Sequence, residues 1–197
     1  MYRSLKSTAG TAMLAGAVLL AGPLVATAET YVLDPSHSQV VFSYTHMGFS
    51  TTTGMFSGFD GEIEWNREDP AQSSVSVALP VLSMFTGWEA RDGHFMADDF
   101  FGASEGDLIA FKSTGIEVTG EETGRITGVL SMNGAEKEVV LEAKLNAAGM
   151  HPMENKEWAG FNATTTLKRS DFGLGLFAPA IGDDIDVRIS IEAMKAE

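Results

Sequence analysis

Apolar and polar side chains alternate with a period of two along most of the chain beyond residue 30. In Ile185-Asp186-Val187-Arg188-Ile189-Ser190-Ile191-Glu192 the two classes separate perfectly, so one face of a strand is buried and the other meets water. Val139, Leu141, Ala143 and Leu145 alternate in the same manner with Val140, Glu142, Lys144 and Asn146. Ile126, Leu130 and Met132 share a face on which Gly128 leaves a gap, and Asn133-Gly134 follows at once. Both turn residues tolerate positive φ, which marks a hairpin. Residues 39–45, 55–65, 74–82, 108–119 and 158–168, with a short segment at Tyr31, supply the remaining strands. About eight strands at this spacing predict an all-β domain, as a barrel or a sandwich.

Residues 83–101 break the alternation. Phe85, Trp88, Phe95 and Met96 there predict a short helical insert, weakened by Gly87 and Gly93. Residues 147–157, with Gly149 and Pro152, read as a surface loop, and nothing suggests a second domain.

The N-terminus reads as an address. Arg3 and Lys6 precede an apolar run over residues 12–20 and the small-residue exit Ala26-Thr27-Ala28, which predicts a signal peptide over residues 1–28, cleaved after Ala28. The run is short and is followed by Gly22 and Pro23, so a membrane anchor is the poorer reading. Removing it leaves 169 residues with 11 basic and 27 acidic side chains, an acidic and soluble product. The full chain has no cysteine, which excludes disulfides, zinc fingers, iron–sulfur clusters and thiol nucleophiles. Export without cysteine suits a bacterial periplasm. Thirteen basic residues against 27 acidic ones exclude an electrostatic nucleic-acid binder.

Most catalytic patterns are missing: there is no G-x-S-x-G, H-E-x-x-H or phosphate-binding loop. Asp34, Ser36 and His37 supply the residue types of a triad, but neighbours in an extended segment point to opposite faces. His37, His46 and His94 lie on three elements that a barrel mouth could gather around zinc or copper. Without paired ligands on one face, they read better as hydrogen-bonded strand-end residues, and His151 as an exposed one. Arg91 beside Asp92 and His94, and Arg169 between Lys168 and Asp171, suit an anionic head group. Their nearby aspartates favour a structural clamp. Phe42, Phe56, Phe95, Phe101 and Phe111 are core residues if a barrel is packed solid, and lining residues if it is hollow. Gly128, Ala143 and Ala163 on inward faces leave room for a guest.

Tyr31-Val32-Leu33-Asp34-Pro35-Ser36-His37-Ser38 resembles the opening of the YceI-like family of exported, lipocalin-like polyisoprenoid-binding proteins. The likeness continues in order through Gly54-Met55-Phe56-Ser57-Gly58-Phe59-Asp60-Gly61, Arg91-Asp92-Gly93-His94-Phe95, Phe111-Lys112-Ser113, Arg169-Ser170-Asp171-Phe172-Gly173 and Gly182-Asp183-Asp184-Ile185. Two departures stand out: residues 104–110 lack the proline usual before the Phe-x-Ser strand, and residues 173–181 are unusually apolar. The resemblance implies an eight-stranded antiparallel lipocalin-like barrel with an apolar pore for an isoprenoid chain. It implies a periplasmic carrier of polyprenyl phosphate or a similar lipid, with those five phenylalanines lining the pore. His37, Arg91, His94 and Arg169 are then the head-group candidates, with no catalytic residue, cofactor or metal. The expected partners are the lipid and, transiently, a membrane, with a homodimer left open. A quinone-binding accessory to a membrane cytochrome is the alternative, and a histidine-metal enzyme the more distant one.

Overall fold

The structure, a computed structural model, describes residues 27–197. All but the last two residues of the expected signal peptide lie outside the described residues. The alternating segments form ten strands: β1 (Glu29–Leu33), β2 (Gln39–His46), β3 (Ser50–Phe56), β4 (Asp60–Trp65), β5 (Ser74–Pro80), β6 (Leu108–Val118), β7 (Thr123–Met132), β8 (Ala135–Met150), β9 (Glu157–Lys168) and β10 (Asp184–Lys195). One α-helix, α1 (Glu89–Phe95), sits in the long β5–β6 connection.

Pairing turns these ten pieces into eight staves. Strands β1 and β2 both pair with β10, at Leu33↔Ala193 and Val40↔Ile189, so they are two halves of one bent strand. In the same way β4 pairs with β1 and β3 with β2. The order β1-β4-β5-β6-β7-β8-β9-β10 closes through β1–β10, with every neighbour antiparallel. The eight-stranded antiparallel barrel with a short helical insert is therefore observed, and the sandwich is excluded.

Local chemistry fixes the corners. Asn133 and Gly134 adopt φ of 51° and 73°, as the hairpin between β7 and β8 requires. The bend between β3 and β4 falls at Gly58, with φ 71°, where a single strand over residues 55–65 was expected. A bulge between Ser113 and Gly115 shifts the register of β6. Ile109 and Phe111 before it, and Ile116 and Val118 after it, therefore face the same interior. The loop expected over residues 147–157 is shorter than that, because β8 runs to Met150 and β9 begins at Glu157. His151 organises this turn and is not merely exposed: its Nδ1 accepts from Glu154 N (3.1 Å), and its ring stacks on Trp158 at 4.7 Å.

Packing around the ring is uneven. Along β1 and its neighbours Tyr31, Leu33, Ala159 and Ala193 are at most 3% exposed. Trp65 packs edge-on against both Tyr31 (5.3 Å) and Phe161 (5.5 Å). Tyr31 donates its hydroxyl proton to Glu157 Oε2 (3.1 Å), and burial together with that bond pushes its pKa up to about 12. On the far wall Val139, Leu141, Leu145 and Leu167 point inward yet stay only half buried. An inward apolar side chain in a filled barrel would be fully buried, so this wall borders a void. Among the described residues no helix is long and apolar enough to cross a membrane.

Gly128 is a correction to the expected gap for a guest. A Cβ there would lie 2.4 Å from the Phe111 ring and 2.6 Å from Lys112 O, so the ring already occupies the space. We expect Gly128→Ala to destabilise the barrel by about 1–3 kcal/mol. In a chain of this size that lowers the melting temperature by about 2–12 °C, measurable by circular dichroism.

Candidate functional site

The void is an elongated cavity of about 410 Å³ running along the lumen. That lies within the range of about 300–1,000 Å³ typical of small-molecule sites. Each strand from β5 to β10 sends alternate apolar side chains into it, including Val75, Val77, Leu79, Ile126, Leu141, Leu167, Val187 and Ile191. Ala143 and Ala163 face each other in register across β8 and β9 and line it too, so this expected pair of small residues does widen the bore. Polar groups concentrate at the ends. One end is rimmed by Arg67, Glu121, Glu122 and Lys144, and the other is lined by Phe95, Phe100 and Phe101 of the insert with Leu174, Ile181 and Arg169. Among the described residues, no buried side-chain nitrogen or oxygen lacks a hydrogen-bond partner. The lumen therefore offers a guest hydrophobic contact and few polar grips.

All five phenylalanines singled out in the sequence, Phe42, Phe56, Phe95, Phe101 and Phe111, line this cavity. Phe42 and Phe56 pack at 5.4 Å, and Phe95 lies 6.3 Å from Tyr44 and 5.2 Å from Phe100. Sequence reasoning passed over Phe59, Trp65 and Phe161, which join them. Period two alone marked these three, each at an alternate position of a strand or its bend.

The four polar candidates do not gather. Arg169 alone borders the cavity, and it is buried. Its Nε donates to Gly182 O (2.8 Å), Nη1 to Leu174 O and Leu176 O (2.8 Å), and Nη2 to Ile181 O (2.8 Å). Burial pulls its pKa down, and the guanidinium serves as the hub around which the apolar loop of residues 173–182 is wound. This is a clamp, as expected, but one made with carbonyls where an aspartate was foreseen. Arg91 donates from Nε to Thr86 Oγ1 (2.8 Å) and from Nη2 to Thr86 O (2.6 Å), while Asp92 accepts from Thr86 N (2.9 Å). That network ties α1 to the chain preceding it. His94 is exposed and pairs with Asp99 at 3.2 Å. His37 lies at the bend between β1 and β2, outside the lumen lining.

The histidine metal centre is not formed. Among the described residues, the one histidine–carboxylate group with metal-like spacing is Asp34, His37 and Glu192, so His37, His46 and His94 do not converge. Its groups already have hydrogen-bond partners within the protein. Asp34 accepts from Ser36 N (3.0 Å), Ser36 Oγ (2.8 Å) and His37 Nδ1 (2.5 Å), and Glu192 accepts from Trp158 Nε1 (3.0 Å). Ser36 Oγ does approach His37, at 3.1 Å, although opposite faces were expected. It does so at Nδ1, the nitrogen that also faces Asp34, so the relay of a serine nucleophile through Nε2 is not built. The cluster braces the bend.

The hydrogen bond to Asp34, then that group's charge, pushes the His37 pKa up. Burial would raise Asp34, but bonds from His37 and Ser36 outweigh it and hold the carboxyl below its usual range. His37's contribution to stability is complete below its ordinary 6.5 and fades as pH rises through the raised value. Asp34's is complete above its ordinary 3.8 and fades as pH falls through the lowered value.

The YceI-like domain matches residues 31–193. A UPF0312 protein of Pseudomonas putida (strain GB-1) is 36% identical over 192 residues, covering 97% of this chain and 98% of that protein. The crystal structure of a Campylobacter jejuni YceI protein shares 29% identity with a TM-score of 0.69, over 78% of this chain and 90% of that one. A polyisoprenoid-binding domain from Saccharophagus degradans, implicated in plant cell wall breakdown, has the same fold at 13% identity. Its TM-score is 0.61, over 84% of this chain and 98% of that domain.

Two outcomes are expected. In an NMR titration His37 titrates above 6.5, and Asp34→Asn brings it back toward that value. Arg169→Met strands several loop carbonyls, costing about 3 kcal/mol, or about 6–12 °C in melting temperature. Limited proteolysis should then cut within residues 173–182.

Proposed function

Because the chain belongs to the YceI-like family, and its barrel encloses an apolar lumen, we propose that it is a binding and carrier protein for isoprenoid lipids. The observation that carries this reading is the half-buried inner wall: Val139, Leu141 and Leu167 line the void and stand outside the packed core. A flexible hydrocarbon chain completes that wall. Each methylene taken from water contributes about 0.8 kcal/mol in gross terms. Large ligands realise only about 0.3 kcal/mol per non-hydrogen atom, so a lodged stretch of about 25 carbons reaches about 7–8 kcal/mol. That is a low-micromolar affinity, suited to loading and unloading.

The related fold of a polyisoprenoid-binding domain supports the ligand class. A polyprenyl phosphate fits best, with its head group left outside a lumen that offers it few polar partners. The chain enters at the end formed by the insert, because the opposite rim confronts it with Arg67, Glu121, Glu122 and Lys144. Arg91 and His94 stand on the insert near that entrance, whereas the donors of Arg169 are committed to its loop. The signal peptide would deliver the carrier to the periplasm, where such lipids are met at membrane surfaces. The site calls for no catalytic group: its work is to keep a hydrocarbon chain from water.

Native mass spectrometry of protein purified from its own host should show a co-purifying isoprenoid. Empty protein that takes up neither prenyl phosphate nor quinone would count against the proposal. A benzoquinone chromophore in the extract would select the quinone reading. Ala163→Phe, which blocks the bore, should cut lipid uptake at least about tenfold with the strand content unchanged in circular dichroism.

A further inference from the structure

The large aromatic side chains that the barrel leaves exposed are gathered toward one end. Phe49, in the β2–β3 turn, is 87% exposed, and Met47 beside it 55%. Across the rim, Phe85 and Trp88 in the insert are 59% and 63% exposed, and Phe177, in the β9–β10 connection, is 57% exposed. Three separate chain segments thus raise large apolar tips around one opening. At the opposite end the exposed apolar side chains are Val118, Met150 and Met153, with no aromatic among them.

The backbone holds these tips in place. Met47 and Phe177 both adopt left-handed conformations, with φ of 51° and 64°, which bulky side chains rarely accept. The two segments are tied together, Met47 N donating to Ala180 O (2.9 Å) next to a bridge between His46 and Ile181. Phe85 is fastened to β3 by two bonds of 2.9 Å with Met55. At Met47, followed by Gly48 with φ of 75°, the tight β2–β3 hairpin turn imposes this conformation, as at Asn133-Gly134, and at Phe177 the wound β9–β10 connection does. Here it holds a methionine and a phenylalanine out in solvent.

We propose that this end of the barrel is a docking rim for a zwitterionic lipid bilayer, through which an isoprenoid chain passes between membrane and lumen. The inference rests on the carrier reading and gives it a partner and a face. Continuity supports it, because the insert that presents Phe85 and Trp88 to solvent also sends Phe95 and Phe101 into the cavity. A lipid moving past the insert exchanges one apolar environment for another. Charge selects the occupant. Glu89, Asp92, Asp98, Asp99 and Asp183 lie at this end of a chain with a formal charge of −14. Two copies meeting end to end would oppose these acids, and an anionic membrane would repel them, whereas a zwitterionic surface does neither. Shape agrees, since isolated protruding tips enter the fluid interface of a bilayer, where aromatic side chains are favoured. A protein partner would need a matching pocket for each one.

The test is flotation with phosphatidylcholine vesicles, alone and carrying a polyprenyl phosphate, using the full mature chain. Wild type should float, less so when phosphatidylglycerol is included, and should take the prenyl phosphate from the vesicles. Phe49→Ser and Trp88→Ser, outside the lumen lining, should each lower the bound fraction about tenfold and slow transfer from vesicles alike. Uptake of the same lipid from detergent solution should be unchanged. Flotation of both variants equal to wild type overturns the proposal. So does a wild-type dimer that these substitutions dissolve, seen by sedimentation, in a protein that does not float. Flotation without uptake from either source supports the docking rim and overturns the carrier reading beneath it.

Discussion

Ring closure is the constraint on which the rest of this molecule depends. Once β1 and β2 have both found β10, every strand but β3 has two hydrogen-bonded strand neighbours, and β3, paired with β2, is met on its other edge by the bridge between Met55 and Phe85. The pleat then divides side chains into an inner and an outer set. Eight staves enclose a space that side chains can fill or nearly fill. In this chain Phe42, Phe56, Phe111 and Trp65 fill part of it, while Ala143 and Ala163 decline to fill the remainder. Hollowness follows from residue size on a fixed circumference and needs no special device.

What does need a device is the end of the tube. The β5–β6 and β9–β10 connections are too long to be simple turns, and each is organised by one arginine. Arg169 gathers four carbonyls of an apolar loop, and Arg91 shares Thr86 with Asp92 at the start of α1. Neither arginine relies on a carboxylate. Ahead of β6, Asp107 turns the chain by accepting from Ser104 N (2.7 Å) and Ser104 Oγ (2.9 Å), while its carbonyl accepts from Val81 N (2.9 Å). Cations and turn-forming acids thus shape this end of the tube.

Much of this was legible in advance, for reasons that differ by element. Strand β10 and the inner face of β8 announced themselves because period two is enforced wherever one face meets the lumen and the other water. The five phenylalanines could be placed by the same parity. The first half of β3, Ser50 to Gly54, was not, because it contains no large apolar residue to carry the pattern. The β6 bulge was hidden because a shift of register leaves no mark in composition. Polar roles were the least legible. Asp34, Ser36 and His37 look catalytic as a list, yet which ring nitrogen is engaged decides the matter, and only three-dimensional geometry supplies that. Likewise Arg169, named as a head-group candidate though better read as a clamp on an aspartate, commits its donors to carbonyls that no sequence pattern marks.

The unequal packing of the two walls has a mechanical consequence. The side around β1 is dense, with Tyr31, Leu33, Ala159 and Ala193 sealed together, while the wall formed by β6, β7 and β8 leans on its strand neighbours and on empty space. Local opening is least costly where few apolar contacts must be broken. Side chains are sealed along one seam and have room to repack opposite it, where the backbone is held by ladders of eight and ten residue pairs against three between β1 and β10. The circumference stays that of eight staves, so any change in the width of the lumen falls to the rotamers of that half-buried wall, away from the seam that is packed shut.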